Sequence, residues 1–171
     1  PLDSSAASDV YKRQVQARQR LGDDAVGHVF KLMAQRAFTE YAFEQWCGLN
    51  VLAVDGVMFR AQDTAENLDA FGCDRNAKGD NPYPQVRMCS LMETSSHLLL
   101  ASEFDSRDVG EMSLAQRLVP SVPDNSLTLF DRGYYSLGLL YLWMTKGVNT
   151  HWMLPARKDL QYTVRHQLSE D

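Results

Sequence analysis

Two aspartates stand at matching places in this sequence, each directly after a short, largely apolar run. Asp55 follows the run at 51–54 and Asp131 follows the run at 127–130, and a glycine comes within two residues of each. Such runs predict buried strands, and a carboxylate at the end of a buried strand is held rigidly. Two such strands side by side would bring together the oxygen ligands that Mg²⁺ requires. Two metal ions about 4 Å apart could then activate a water or hydroxyl and stabilise the leaving oxygen of a phosphodiester.

The same residues also fit a structural alternative, in which each aspartate begins an ordinary turn. Asp-Gly is a common turn dipeptide, because both residues adopt the backbone conformations that turns need. The residue types alone therefore leave the metal site and the turn open as alternatives.

The elements that must position the two aspartates follow from the hydrophobic pattern of the chain. Helical spacing predicts a helix over 23–46, and clustered Asp, Asn, Gly and Pro predict a long loop, with one helical turn at most, over 61–84. The other predicted elements are strands over 50–54, 57–60, 85–92, 96–101, 126–130 and 149–154, and helices over 111–119 and 137–146. A hairpin followed by strand–helix alternation predicts a mixed α/β sheet with flanking helices. This is the order of a ribonuclease H-like core, truncated before its last catalytic helix and preceded by a helical segment.

The overall composition limits which classes of protein this chain can belong to. The 171 residues are 44% hydrophobic and 23% charged, which is typical of a globular protein with a core of its own. No apolar run approaches the roughly 20 residues that span a bilayer, so no membrane partner is expected. Three cysteines without a CxxC pair fit a reducing cytoplasm. The net charge of -5 counts against a surface built mainly for nucleic acid, although cations offset the charge of metal-binding carboxylates.

The two ends of the chain predict no structure of their own. The hexapeptide Asp9-Val-Tyr-Lys-Arg-Gln14 is what one reading frame of a transposon-end sequencing adapter encodes. We therefore expect residues 1–14 to be an adapter or assembly scar and to be disordered. The far end, at 167–171, has neither a helix cap nor a closing turn, so we expect the chain to be truncated at both ends.

Several short motifs, taken together and in this order, resemble a known family. They are Val51-Leu-Ala-Val-Asp-Gly56, Phe59-Arg60, Asp63-Thr-Ala-Glu-Asn67, Phe71-Gly72, Tyr83-Pro-Gln-Val-Arg87 and Leu129-Phe-Asp-Arg-Gly-Tyr-Tyr-Ser136. These motifs are similar to those of the DDE transposases of the bacterial insertion-sequence-four group, and the similarity runs from about residue 15 to the end. The upstream Ala17-Arg-Gln-Arg-Leu-Gly22 looks like the last part of that group's N-terminal helical region.

The resemblance implies a ribonuclease H-like catalytic core over 50–157. The end of an N-terminal helical region, 15–49, precedes it, and the start of a β-rich insertion, 158–171, follows it. It implies a two-metal site with Mg²⁺, or Mn²⁺ as a substitute, in which Asp55 is the first catalytic aspartate and Asp131 the second. The implied activity is cut-and-paste transposition in the bacterial cytoplasm, with cleavage of DNA at the transposon ends and strand transfer into target DNA. A dimer assembled on DNA is implied as well.

The third ligand of the family is a glutamate in a Tyr-x-x-Arg-x-x-x-Glu pattern on a later helix. Tyr162 and Arg165 fit this pattern, but Ser169 takes the place of the glutamate and Glu170 comes one residue late. The stretch 160–168 also alternates like a strand. We therefore expect the third acid to be absent from this chain, with Glu170 as the nearest substitute, and the chain itself to be inactive.

Basic and aromatic residues near the motifs are candidate contacts to DNA. Arg132 and Tyr134 complete the motif of the second aspartate, and Arg132 is a plausible phosphate contact. The other candidates are Arg60, Arg87, Arg157 and Lys158. Solvation at the surface is the commoner role of such side chains.

Two other functions stand beside transposition. A catalytically dead fragment that binds DNA weakly at most would carry the same motifs. A haloacid-dehalogenase-like phosphatase also places an aspartate after an apolar strand. That chemistry usually needs Asp-x-Asp, and Val57 stands two residues after Asp55, so this alternative ranks below the others.

Overall fold

The computed structural model describes residues 4–74, 81–156, 158, 160, 161 and 163. The chain divides into two compact units, residues 1–42 and residues 43–171. In the described part of the chain, no helix is both long enough and apolar enough to cross a membrane.

The first unit is built from helix α1, Ser4–Glu40, which is interrupted at Gly22. Gly22 has φ 74° and ψ 173°, so two helical segments meet there. The expectation of disorder over 1–14 is wrong for residues 4–14, which are helical. Five of the eleven residues of this stretch are the good helix formers Ala, Lys, Arg and Gln, and an Arg13–Asp9 ion pair at 3.3 Å adds a contact between successive turns.

The second unit is a mixed sheet with short helices. Its helices are α2 (Ala65–Phe71), α3 (Glu111–Leu118) and α4 (Leu137–Thr145), with 3-10 turns at Val119–Ser121 and Arg132–Tyr134. Its strands are β1 (Gln45–Trp46), β2 (Leu49–Arg60), β3 (Cys73–Asp74), β4 (Asn81–Glu93), β5 (Leu99–Ser106), β6 (Ser126–Leu129) and β7 (Thr150–Met153).

The strand order gives the fold its class. The main strands lie side by side in the order β5, β4, β2, β6, β7, while β3 and β1 pair with β4 and β2. β2, β6 and β7 run parallel, and β4 is antiparallel to both β2 and β5. A long hairpin followed by parallel strands joined through helices is the ribonuclease H-like arrangement, so the predicted fold class is confirmed.

One face of the sheet carries the hydrophobic core. Side chains alternate between the two faces of a strand, so Leu52 and Val54 point to one face and Asp55 to the other. The buried cluster joins these two residues to α3 and α4, and Trp143 of α4 packs edge-on against Phe130 with ring centroids 4.8 Å apart. Both helices therefore cover the face opposite Asp55.

The first half of this unit departs from the sequence prediction. β2 does not end at Asp55 but continues to Arg60, because β4 pairs with it from Leu52–Glu93 to Arg60–Gln85. β4 and β5 correspondingly lie over 81–93 and 99–106 rather than over 85–92 and 96–101. The segment predicted as a loop contains α2, whose N-cap Thr64 accepts a hydrogen bond from the Asn67 amide at 3.2 Å. Helix α1 also ends at 40, short of the predicted 46.

Candidate functional site

The parallel pairing of β2 and β6 aligns the two aspartates. Ala53 pairs with Leu129, so residues two positions further along each strand, Asp55 and Asp131, stand at the same level. Neighbouring strands lie about 4.8 Å apart, which brings the two carboxylates close together where β6 ends. β2 continues beyond this point, and so Asp55 lies inside a strand whereas Asp131 begins a turn.

Both aspartates leave the sheet on the face away from α3 and α4. Phe130 is buried in the core, and its amide still donates to Met153 O of β7 at 2.9 Å. Alternation places the preceding Leu129 and the following Asp131 on the opposite face, the one that Asp55 occupies. Both aspartates are solvent-exposed.

Backbone amides fix the orientation of each carboxylate. Asp131 is the N-cap of the 3-10 turn Arg132–Tyr134, and its Oδ1 accepts a hydrogen bond from the Gly133 amide at 2.7 Å. Asp55 Oδ1 accepts from the Gly56 amide at 2.8 Å. In the described part of the chain nothing donates to Oδ2 of either residue. Two exposed, oriented carboxylates with an open oxygen each are donors that a hard divalent cation accepts.

A shallow depression of about 200 Å³ lies beside Asp55. Its lining is mostly apolar and comes from β2, β4 and the start of β5: Ala53, Asp55, Gly56, Val57, Met88, Ser90, Met92 and Leu99. The carboxylate therefore faces an open concave surface.

Tyr134 lies under the site rather than on it. This residue was expected to contact DNA, but its side chain is only 2% exposed and forms part of the core. Its hydroxyl lies 3.5 Å from Cys89 Sγ. Burial raises the pKa of Tyr134 well above its usual value, and the contact with Cys89 adds to the rise, so the phenol stays protonated. Its role in the structure is to anchor the turn that follows Asp131.

The basic residues expected at DNA have different surroundings. Arg60 is exposed at the end of β2, with its guanidinium carbon 5.9 Å from the centre of the Tyr83 ring. Arg87 is half-buried, and its Nη1 donates to Val109 O at 3.1 Å. Arg132, directly after Asp131, and Lys158 are exposed. Arg157 lies outside the described residues, as do Glu170, Tyr162 and Arg165.

A contact at Gly56 was missed by the sequence interpretation. The side chain of Glu111, the first residue of α3, lies directly against this glycine. A glycine inside a strand often marks a close approach by another group, so Gly56 carried a signal. The identity of the approaching group depends on tertiary packing and could not be read locally.

The family described as Transposase DDE domain matches residues 46–170. The chain is 48% identical over 148 residues to the transposase InsG for insertion sequence element IS4 of Escherichia coli strain K12, covering 86% of this chain and 34% of InsG. It is 38% identical over 162 residues to the putative transposase InsZ of the same strain, covering 92% of this chain and 54% of InsZ. The chain thus spans about a third and about half of the lengths of these curated relatives. A cryo-EM structure of piggyBac transposase in a synaptic complex with hairpin DNA aligns with a TM-score of 0.49 and 10% identity, over 87% of this chain and 31% of that one.

Proposed function

This chain belongs to the DDE transposases of the insertion-sequence-four group, and we propose that Asp55 and Asp131 are two of the metal-binding carboxylates with which such a protein cleaves DNA. The observation that carries the proposal is their alignment on neighbouring parallel strands, two positions beyond the Ala53–Leu129 pair. An ordinary turn would explain Asp131 alone. It does not explain Asp55, which lies inside strand β2 and is exposed. Asp55 stands at the same position along the paired strands as Asp131.

The proposed chemistry assigns a separate task to each part of the site. When bound, Mg²⁺ or Mn²⁺ would supply activation of the attacking water or hydroxyl and stabilisation of the leaving oxygen of a phosphodiester. Asp55 and Asp131 would hold the cations through their Oδ2 atoms. The amides of Gly56 and Gly133 would keep both carboxylates oriented, because they bond to the Oδ1 atoms. Such orientation before binding reduces the cost of assembling the site.

DNA is the proposed partner, both as transposon ends and as target, with a dimer assembled on it. The exposed cations Arg60, Arg132 and Lys158 are the described candidates for phosphate contacts, and Arg157 stays a prediction from the sequence. With a net charge of -5, any contact must come from such a local patch rather than from the whole surface. Arg132 follows Asp131 directly in the sequence and is exposed.

A third acidic residue is needed to complete the DDE set. The described residues contain no group of three metal-ligating side chains. We therefore expect no DNA cleavage by the 171-residue chain alone, and cleavage at the transposon ends by a transposase of this group that contains this sequence and has the length of the relatives. Turnover by the short chain that disappears with Glu170→Ala would instead make Glu170 the third acid.

A cleavage assay on transposon-end DNA with Mg²⁺ tests this proposal in the longer protein. Asp55→Asn and Asp131→Asn should each reduce strand cleavage by several orders of magnitude while the protein still binds DNA. Asp69→Asn is the matched control, because Asp69 is an exposed aspartate of α2. Full activity in either site variant would rule the two-aspartate site out.

A further inference from the structure

Helix α4 is apolar on every side, although only one of its sides packs on the sheet. Seven of its nine residues are large and apolar, and none is charged. A helix that is hydrophobic all round is normally buried all round. The inner side of α4 meets this expectation, because Leu139, Leu140 and Trp143 are buried in the core. The outer side does not meet it.

The outer side of α4 carries a line of exposed apolar side chains, which we call the α4 stripe: Leu137, Tyr141 and Met144. These residues are spaced by four and by three, so they lie next to one another along the helix surface. Leu137 is 74% exposed, Tyr141 63% and Met144 48%, and the neighbouring Leu142 is exposed as well. A contiguous exposed apolar patch on a folded protein marks a site of interaction.

Trp152 of β7 extends this apolar surface from the helix onto the sheet. The Thr150 hydroxyl donates to Met144 O at 2.9 Å, so Thr150 faces α4. Side chains two positions apart on a strand share a face, which puts Trp152 on the α4 side of β7 as well. Its side chain is 37% exposed. The exposed apolar surface therefore spans α4 and the strand beneath it.

We propose that this surface, the α4 stripe with Leu142 and Trp152, binds the same surface of a second copy of the chain. Charge favours such a partner. A net charge of -5 makes two copies repel each other over most of their surface. Residues 136–145 carry no charge, so two copies of α4 can meet without opposing like charges. A highly charged partner such as DNA would find no ionic group on this stretch of the chain.

The order of side chains in the α4 stripe suits a twofold contact. Such a contact brings the same patch of both copies together, and a residue on the axis meets its own copy. Tyr141 stands at the middle of the stripe and is therefore the residue that the proposal places on the axis. Helix α4 covers the face of the sheet opposite Asp55, and its outer side points further away from that face. The contact therefore leaves both aspartates open.

The area of this surface sets the strength that we expect of the dimer. A fully exposed side chain of this size presents roughly 200 Å², so the exposed fractions of the five residues amount to roughly 550 Å² per chain. A symmetric contact would bury about 1,100 Å² in total, which is near the lower limit for a specific interface. We therefore expect a dissociation constant in the micromolar range.

Sedimentation velocity of the 171-residue chain, without DNA or divalent cations, tests the proposal. The chain should pass from monomer to dimer as its concentration rises through the micromolar range. Tyr141→Glu places two like charges on the axis and should weaken the dimer by roughly tenfold or more. Val29→Glu is the matched control, because Val29 is an exposed apolar residue of α1, and it should leave the Kd unchanged. Circular dichroism should show that both variants fold.

Disulfide cross-linking tests the position of the axis. A background of Cys47→Ser and Cys73→Ser leaves only the buried Cys89. Tyr141→Cys in this background should give a disulfide-linked dimer on mild oxidation, because cysteines whose Cα atoms lie within about 7 Å can be bridged. Gln116→Cys, on an exposed position of α3, is the control and should stay monomeric.

The proposal is wrong if the chain stays monomeric throughout the micromolar range. A dimer that Val29→Glu disrupts and Tyr141→Glu does not would move the contact to α1. A dimer that forms only after transposon-end DNA is added would mean that DNA, and not α4, joins the two copies. Failure of Tyr141→Cys to cross-link a chain that dimerises would remove Tyr141 from the axis. Each of these outcomes contradicts the α4 contact and leaves Asp55 and Asp131 untouched, since DNA cleavage tests those residues separately.

Discussion

The Trp143 indole N–H donates a 2.8 Å hydrogen bond to Thr128 Oγ1 within the core. Thr128 lies in β6, before the Asp131 turn, and Trp143 lies in α4, after it. The bond therefore ties together the two elements between which Asp131 is held. Both residues are completely buried, so no water can replace either partner.

Thr128→Val should lower the free energy of unfolding by about 1–3 kcal/mol, because it leaves the buried indole N–H without an acceptor. Urea unfolding followed by circular dichroism measures the change. Thr145→Val is the matched control: its hydroxyl donates to Tyr141 O on an exposed surface, and its loss should cost less than about 0.5 kcal/mol. Equal losses in the two variants would contradict the importance of the buried bond.

Elements fixed by local patterns were predictable from the sequence, and those fixed by distant pairing were not. Pro120 stands two residues after the end of helix α3 and Gly147 two residues after the end of helix α4, and the predicted bounds of both helices agree with the structure to within about a residue. The second half of β2 is different. It is a strand because it pairs with β4, from Gly56–Cys89 to Arg60–Gln85. The local sequence around residues 56–60 does not predict this register.

The same distinction applies to the candidate site. Asp55 and Asp131 could be singled out because each follows an apolar run, and their role as metal ligands stays a prediction. Neither the Glu111–Gly56 contact nor the buried position of Tyr134 follows from spacing. Both depend on how α3 and the Asp131 turn pack on the sheet.

The ionisation of Glu93 makes the stability of the fold depend on pH. Its carboxylate is fully buried and accepts hydrogen bonds from the amides and hydroxyls of Ser95 and Ser96, at distances of 2.6 to 3.0 Å. Burial acts to raise the pKa of Glu93, but the hydrogen bonds from Ser96 and Ser95 outweigh it and hold the pKa below the ordinary value near 4.5. The ionised form thus closes the turn between β4 and β5.

A carboxyl group whose folded pKa is lowered stabilises the fold above its unfolded pKa. That stability should be lost as the pH falls from about 4.5 through the folded pKa of Glu93. Glu93→Gln should cost roughly 2–3 kcal/mol at pH 7 and should flatten the acid side of the stability profile. Urea unfolding at a series of pH values measures both effects. A slope unchanged by Glu93→Gln would refute the assignment.

The three cysteines should differ sharply in their reactivity towards a thiol reagent. Cys47 is exposed, whereas Cys89 is fully buried, and burial is the first cause that raises its pKa. The thiolate is the reactive form, so Cys89 should be modified only as fast as the second unit opens. Labelling with Ellman's reagent at pH 8, followed by mass spectrometry, identifies the modified residues. All three should react in urea, and rapid labelling of Cys89 in the native protein would contradict the packing around Tyr134.

Gly133→Ala should weaken metal binding with little change in stability. A β-carbon at this position would stand 3.0 Å from Asp131 Oδ1, the oxygen that the Gly133 amide holds, so the carboxylate must shift. We expect Mn²⁺ binding to fall roughly tenfold, as for other losses of a group that orients a ligand. Gly138→Ala is the matched control, because a β-carbon there would meet only Ser136 Oγ, at 3.8 Å. It should stabilise α4 by about 0.5–1 kcal/mol and leave the Kd unchanged. Equal Mn²⁺ affinities in the two variants would mean that the Gly133 amide does not orient a metal ligand.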